Sequence, residues 1–80
     1  MKSREAVCIR IEILCERKGI NFSRLAYRAG IPPTTLKNIL YGVSKNPGIV
    51  TITKLCNGLD MSVIDFFSDE LFEKLEQEIE

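Results

Sequence analysis

Thr34, Thr35, Lys37 and Asn38 put two hydroxyls, an ammonium and an amide into the stretch AGIPPTTLKNILYG, directly behind Pro32 and Pro33. An amide donates and accepts along one edge, so it can pair with another planar edge that does the same. Hydroxyls adapt to either role, and an ammonium seeks an anion. This is the chemistry of recognition rather than of bond-making. The chain has no histidine. Its three cysteines, Cys8, Cys15 and Cys56, are odd in number and lack C-x-x-C spacing, so no zinc site is expected. No glycine-rich phosphate loop is present, and no nucleophile stands beside a base. The residues therefore predict a binding or regulatory chain, not an enzyme, with no metal and no cofactor.

The apolar spacing around this stretch is helical, and no segment sustains strand alternation, so the expected class is all-α. A first helix is predicted over about Ser3 to Lys18, with the stripe Val7, Ile11, Leu14 and Cys15 and a second row at Ile9 and Ile13. Gly19 ends it as a C′ residue. A second helix spans about Phe22 to Ala29, with Asn21 as N-cap and Leu25, Ala26 and Ala29 facing inward. Ala26 is small, leaving room for a closely crossing helix. Gly30 makes the turn. A third helix runs from about Pro33 to Tyr41, closed by Gly42. Proline is tolerated at its first position, where the missing N–H would have had no partner. Leu36, Ile39 and Leu40 face inward.

Residues 43 to 49 form a polar turn broken by Pro47 and Gly48. A fourth helix covers about Val50 to Leu59, with Ile52, Leu55, Cys56 and Leu59 as its stripe. A fifth begins at Ser62, where Asp65 stands three residues on as in a capping box, and its apolar side is Val63, Phe66 and Phe67. The acidic end, SDELFEKLEQEIE, spaces Leu71, Leu75 and Ile79 by four, as a sixth helix or an extension of the fifth.

Eighty residues suit one modest core. No apolar run approaches the roughly 18 to 20 residues that span a bilayer. The N-terminus lacks an apolar signal segment. The expected location is the cytoplasm, with no membrane partner. The formal net charge is zero, but its distribution is not even. Residues 1–54 hold ten Lys or Arg and three acids, 10 − 3 = +7, and residues 55–80 hold one base and eight acids, 1 − 8 = −7. A polyanion senses local potential, because the Debye length at physiological salt is about 8 Å. A basic body can thus bind nucleic acid despite neutral totals. The same split also lets the two halves attract each other.

Two short helices joined through Ala29-Gly30-Ile31 make a helix-turn-helix (HTH), about residues 22–41. The run from Arg10 to Phe67 resembles the Cro/repressor class of HTH regulators, the XRE family. The matching pieces are RIEILCERKGI, NFSRLAYRAGI, PPTTLKNILYG and NPGIVTITKLCNGLDMSVIDFF. The resemblance implies a compact five-helix, lambda-repressor-like DNA-binding domain over residues 1–68, with an acidic amphipathic extension over 69–80. It implies a small transcriptional regulator of the repressor kind. Double-stranded operator DNA would be its partner, and the third helix would lie in the major groove. Base readout then falls to Thr34, Thr35, Lys37 and Asn38. Asn38 is the leading candidate, since an amide can bond adenine N6 and N7 together. Asn21, Phe22, Ser23 and Arg24 at the start of the second helix would meet the DNA backbone, as would Tyr41, Lys45 and Asn46 after the third. Arg10, Arg24 and Arg28 would add charge.

The chain departs from that family pattern twice. Cys15 and Leu40 stand where relatives often pair an Arg with a Glu. Replacing both partners of a buried ion pair by apolar groups is often neutral or stabilising. Pro33 stands where relatives often place a polar base reader, which shifts readout toward Thr34 and Asn38.

One helix reads few bases, so a homodimer is expected, through the fifth helix and the tail: Phe66, Phe67, Leu71, Phe72 and Leu75. The alternative is that Leu71, Leu75 and Ile79 fold back over Ile9 and Ile13. A different function on the same fold is a protein-interaction module of the antirepressor kind that does not bind DNA.

Overall fold

The computed structural model describes residues 2–41 and 47–75, and they are helical throughout, with no strand among them. α1 spans Ser3–Lys18, α2 Phe22–Ala29, α3 Pro33–Leu40, α4 Ile49–Gly58 and α5 Val63–Phe67, followed by a 3-10 helix over Glu70–Lys74. The expected five-helix order is present. Gly42, predicted to close α3, and Ile79 of the tail stripe lie outside the described residues.

The ends follow from local chemistry. Three helices end in the same way: a residue in the left-handed region lets the next N–H reach back five residues. Gly19 does so at φ 68° with Ile20 N–H donating to Cys15 O, and Gly30 at φ 69° with Ile31 N–H donating to Ala26 O. Asp60 does so at φ 56°, with Met61 N–H donating to Cys56 O. Glycine takes this conformation at no steric cost, and Asp is among the few other residues that tolerate it. At the starts, the Asn21 side chain accepts from Arg24 N–H at 2.8 Å and Ser62 Oγ accepts from Asp65 N–H at 3.0 Å.

The core gathers Val7, Ile11 and Cys15 of α1, Leu25, Ala26 and Ala29 of α2, Leu36 and Ile39 of α3, Ile52, Leu55 and Cys56 of α4, and Phe66 of α5. α2 packs on α4 more extensively than any other pair of helices. Gly58 sits at that crossing, and a Cβ there would stand 3.0 Å from Ala29 N and 3.1 Å from Leu25 Cδ1. Small residues let the two backbones approach, which fixes α2 against α4, while α3 packs on α2 and α1.

The acidic segment neither continues α5 nor forms a further α-helix within the described residues. It turns at Ser68 and Asp69 into the 3-10 helix, which packs on α1. Phe72 packs against the core and meets Phe66 and Phe67 at ring-centroid distances of 6.1 and 4.8 Å. The described part of the tail thus lies against its own chain.

Candidate nucleic-acid interface

α2, the Gly30 turn and α3 form one rigid corner. Ile31 is buried behind the turn and pins it. Pro32 at ψ 140° leads into Pro33, and the Pro32 carbonyl accepts from Thr35 N–H at 3.0 Å to open α3. At about 100° per residue, Leu36 and Ile39 point to the core. Thr34, Lys37, Asn38 and Tyr41 then span an arc of about 100° on the opposite side. Thr34, Lys37 and Tyr41 are exposed and Asn38 is half-buried. Thr35 is half-buried and stands about 60° outside the arc.

A groove opens along one flank of this arc, lined by Phe22, Ser23, Pro33, Thr34, Leu36, Lys37, Leu40 and Tyr41. The structure therefore brings Phe22 and Ser23 of α2 together with Thr34, Lys37 and Tyr41 of α3. Asn38 and Thr35 stand away from that groove. Asn21 and Arg24 are exposed on the first turn of α2. Lys45 and Asn46 lie outside the described residues.

The charges sort differently from expectation. Arg10, expected to add positive charge to the surface, is 5% exposed. Its Nε donates to Phe66 O at 2.8 Å, one terminal nitrogen donates to Asp65 O at 2.9 Å, and the other meets Asp69 at 3.2 Å. It satisfies carbonyls that the end of α5 would leave without intrahelical partners, and it fastens the tail. Nothing in the local sequence marks this, because its partners lie 55 to 59 positions away. Arg28 is also committed: it meets Asp60 Oδ2 at 2.6 Å, and Lys18 Nζ reaches the same oxygen at 3.5 Å. Arg24 lies 5.8 Å over the ring of Tyr27, which is 79% exposed. Tyr27, three residues after Arg24, shares the outer face of α2 with it, a spacing visible in the sequence. Lys37 makes no ion pair among the described residues.

Under α3, the Cys8 thiol donates to Ile39 O at 3.1 Å, meeting a carbonyl of the last turn. Burial pushes the Cys8, Cys15 and Cys56 thiols up from their ordinary range, so they behave as neutral core groups. Among the described residues no cluster of His, Cys, Asp or Glu is placed to hold a metal, and no helix is long and apolar enough to cross a membrane.

The family model for the Cro/C1-type HTH DNA-binding domain matches residues 10–71. The chain belongs to that family. Among solved structures, this Cro/C1-type chain is similar to prophage Lp1 protein 11, at 33% identity and a TM-score of 0.81, over 94% of this chain and 100% of that one. It is also similar to the wild-type restriction-modification controller protein C.Esp1396I, at 26% identity and a TM-score of 0.74, over 94% of this chain and 95% of the other. No curated protein sequence matches it. The family is one of DNA-binding domains, and the two structures share this chain's small all-helical fold.

Proposed function

We propose that this Cro/C1-type chain binds a specific double-stranded DNA site, with α3 seated in the major groove, and regulates transcription as a homodimer on a two-fold-symmetric operator. The carrying observation is the outward arc of α3. Thr34, Lys37, Asn38 and Tyr41 share one side, and residues 33–46 contain no carboxylate to repel phosphate. A B-DNA major groove admits an α-helix and displays donors and acceptors that these groups can read. Asn38 takes the leading readout role toward adenine, with Thr34 and Lys37 beside it and Thr35 at the flank. Asn21, Phe22, Ser23 and Arg24, together with Tyr41, Lys45 and Asn46, lie along the backbone. Residues 1–68 form the DNA-binding domain, and the acidic extension from 69 onward serves it by fastening α5 to α1.

Phe66 is 0% exposed and is removed from the expected dimer surface. The surface we propose is the outer side of α5, with Ile64 at 78% exposure and Phe67 at 38%. The likeness to a restriction-modification controller protein supports a regulatory role.

The test is a titration of duplex DNA across a salt series, followed by Asn38→Ala on a duplex selected from random sequence. Binding is expected to weaken linearly on a log–log salt plot, with a slope set by the phosphates contacted. Asn38→Ala is expected to cost about 1 to 3 kcal/mol and to relax preference at one base pair. An equal loss on every sequence would place Asn38 on the backbone instead. No binding at low salt would refute the proposal and favour a protein-interaction role.

A further inference from the structure

α1 holds the ends of two other helices from different sides. Cys8 and Arg10 are two residues apart, so their side chains leave α1 about 200° apart. Both are buried. On one side the Cys8 thiol donates to Ile39 O, in the last turn of α3, at 3.1 Å. On the other, Arg10 donates from Nε to Phe66 O at 2.8 Å and from a terminal nitrogen to Asp65 O at 2.9 Å, both at the end of α5. Burial keeps the Cys8 thiol protonated and therefore a donor. α3 and α5 are also linked by packing, since α3 rests on α2, α2 on α4 and α4 on α5. That second route runs through apolar burial, which is non-directional. The hydrogen bonds made by α1 set a distance and an angle at each end.

In the function proposed above, α3 carries the reading side chains and α5 the surface through which two copies pair. The separation and tilt of the two reading helices in a dimer then depend on how each α3 is held relative to its own α5. We propose that Cys8 and Arg10 are positioning residues that make α1 the strut between α3 and α5, and so fix the half-site spacing that the dimer accepts. The inference rests on α3 reading the major groove and on pairing through α5. One base pair inserted between half-sites moves one of them by about 3.4 Å and turns it by about 35° around the duplex axis. A dimer whose α3 and α5 are rigidly joined rejects that change. One whose α3 swings on packed side chains alone accommodates part of it.

The experiment measures binding of the full chain to duplexes carrying two selected half-sites, with the spacing changed one base pair at a time, and to a single half-site. The parent is expected to bind its best spacing at least about tenfold more tightly than the neighbouring ones, because a second contact is lost when geometry forbids it. Cys8→Ala is expected to reduce that ratio by about two- to tenfold, the worth of one interior hydrogen bond, and to leave single-half-site binding within about twofold. Cys8→Ser keeps a donor at that place and is expected to retain the parent's ratio within about twofold. Arg10→Lys, whose ammonium cannot fork across two carbonyls, is expected to flatten the ratio as Cys8→Ala does. Thermal unfolding of each variant sets a working temperature at which all are folded. If Cys8→Ala and Arg10→Lys lower Tm but keep the parent's ratio, the bonds support the fold only. The strut is then refuted, while the dimer on two half-sites stands. If Cys8→Ser flattens the ratio as much as Cys8→Ala, the volume of the sulfur matters rather than its donated bond, and the role assigned to Cys8 is refuted. A parent that binds two half-sites no better than one refutes pairing through α5 and the strut together.

Discussion

Arg10 shows how one residue converts a local sequence into a tertiary constraint. Its guanidinium forks across two backbone carbonyls of α5 and one carboxylate at the head of the tail. A planar fork of donors suits this geometry, and a lysine ammonium cannot reproduce it. Removing the side chain leaves the Phe66 carbonyl without its donor and Asp69 without Arg10, while the Asp65 carbonyl keeps Ser68 N–H at 3.2 Å. Arg10→Ala is therefore expected to lower unfolding stability by about 1 to 3 kcal/mol, the cost of leaving the buried Phe66 carbonyl without a donor. Arg10→Lys is expected to recover less than half of that. Asp69→Asn should cost no more than about 1 kcal/mol, because its carboxylate is partly solvated. Urea denaturation measures all three. On DNA, the folded fraction of Arg10→Lys is expected to keep the salt slope of the parent, since a buried guanidinium neutralises no phosphate. A shallower slope would return Arg10 to the interface.

At the level of elements, the decisive contact is the α2–α4 crossing, which holds the corner that presents α3. Gly58→Ala would set a Cβ against the Ala29 backbone, which cannot yield as a flexible side chain would. Alanine gains about 1 kcal/mol of helix propensity over glycine, and overpacking costs about 1 to 3. A net loss of about 1 kcal/mol or more is expected in Gly58→Ala, growing in Gly58→Val. An unchanged or raised Tm would show that the helices separate freely.

The same elements show what the sequence makes legible. Helix identities, the Asn21 and Ser62 caps and the Gly19 and Gly30 stops are encoded within a few residues of where they act, so periodicity and cap chemistry find them. The small residue at the crossing was sought at Ala26, which is buried, but the tight approach is at Gly58, which nothing local distinguishes from an ordinary helix end. The spacing of Leu71, Leu75 and Ile79 by four predicts a sixth helix or an extension of the fifth. The structure turns the tail at Asp69 instead, where Arg10 and the packing of Phe72 outweigh that period. For the candidate site, the side chains on α3 were legible as a set. Which of them share a flank with Phe22 and Ser23 depends on how α2 meets α3, which no short window of sequence contains.

For the whole molecule, the charge split becomes a division of labour. Three ion pairs join basic α1 and α2 to acids beyond residue 59: Arg10–Asp69, Lys18–Asp60 and Arg28–Asp60. Both expectations for the split are thus compatible, since some bases bind the acidic half while Lys37 on α3 is left out of that network. α5 offers Ile64, 78% exposed on a helix whose aromatic anchor, Phe66, is wholly buried. Burying an isoleucine contributes about 1.5 to 3 kcal/mol, and a symmetric interface counts it twice. Ile64→Asp is therefore expected to turn a concentration-dependent dimer into a monomer in sedimentation equilibrium. It should weaken binding to a duplex with two half-sites by at least about tenfold, and leave binding to a single half-site within about twofold. A parent chain that stays monomeric at high micromolar concentration and binds two half-sites no better than one would refute pairing through α5. A monomeric variant that loses half-site binding as well would show that Ile64 supports the fold rather than the interface.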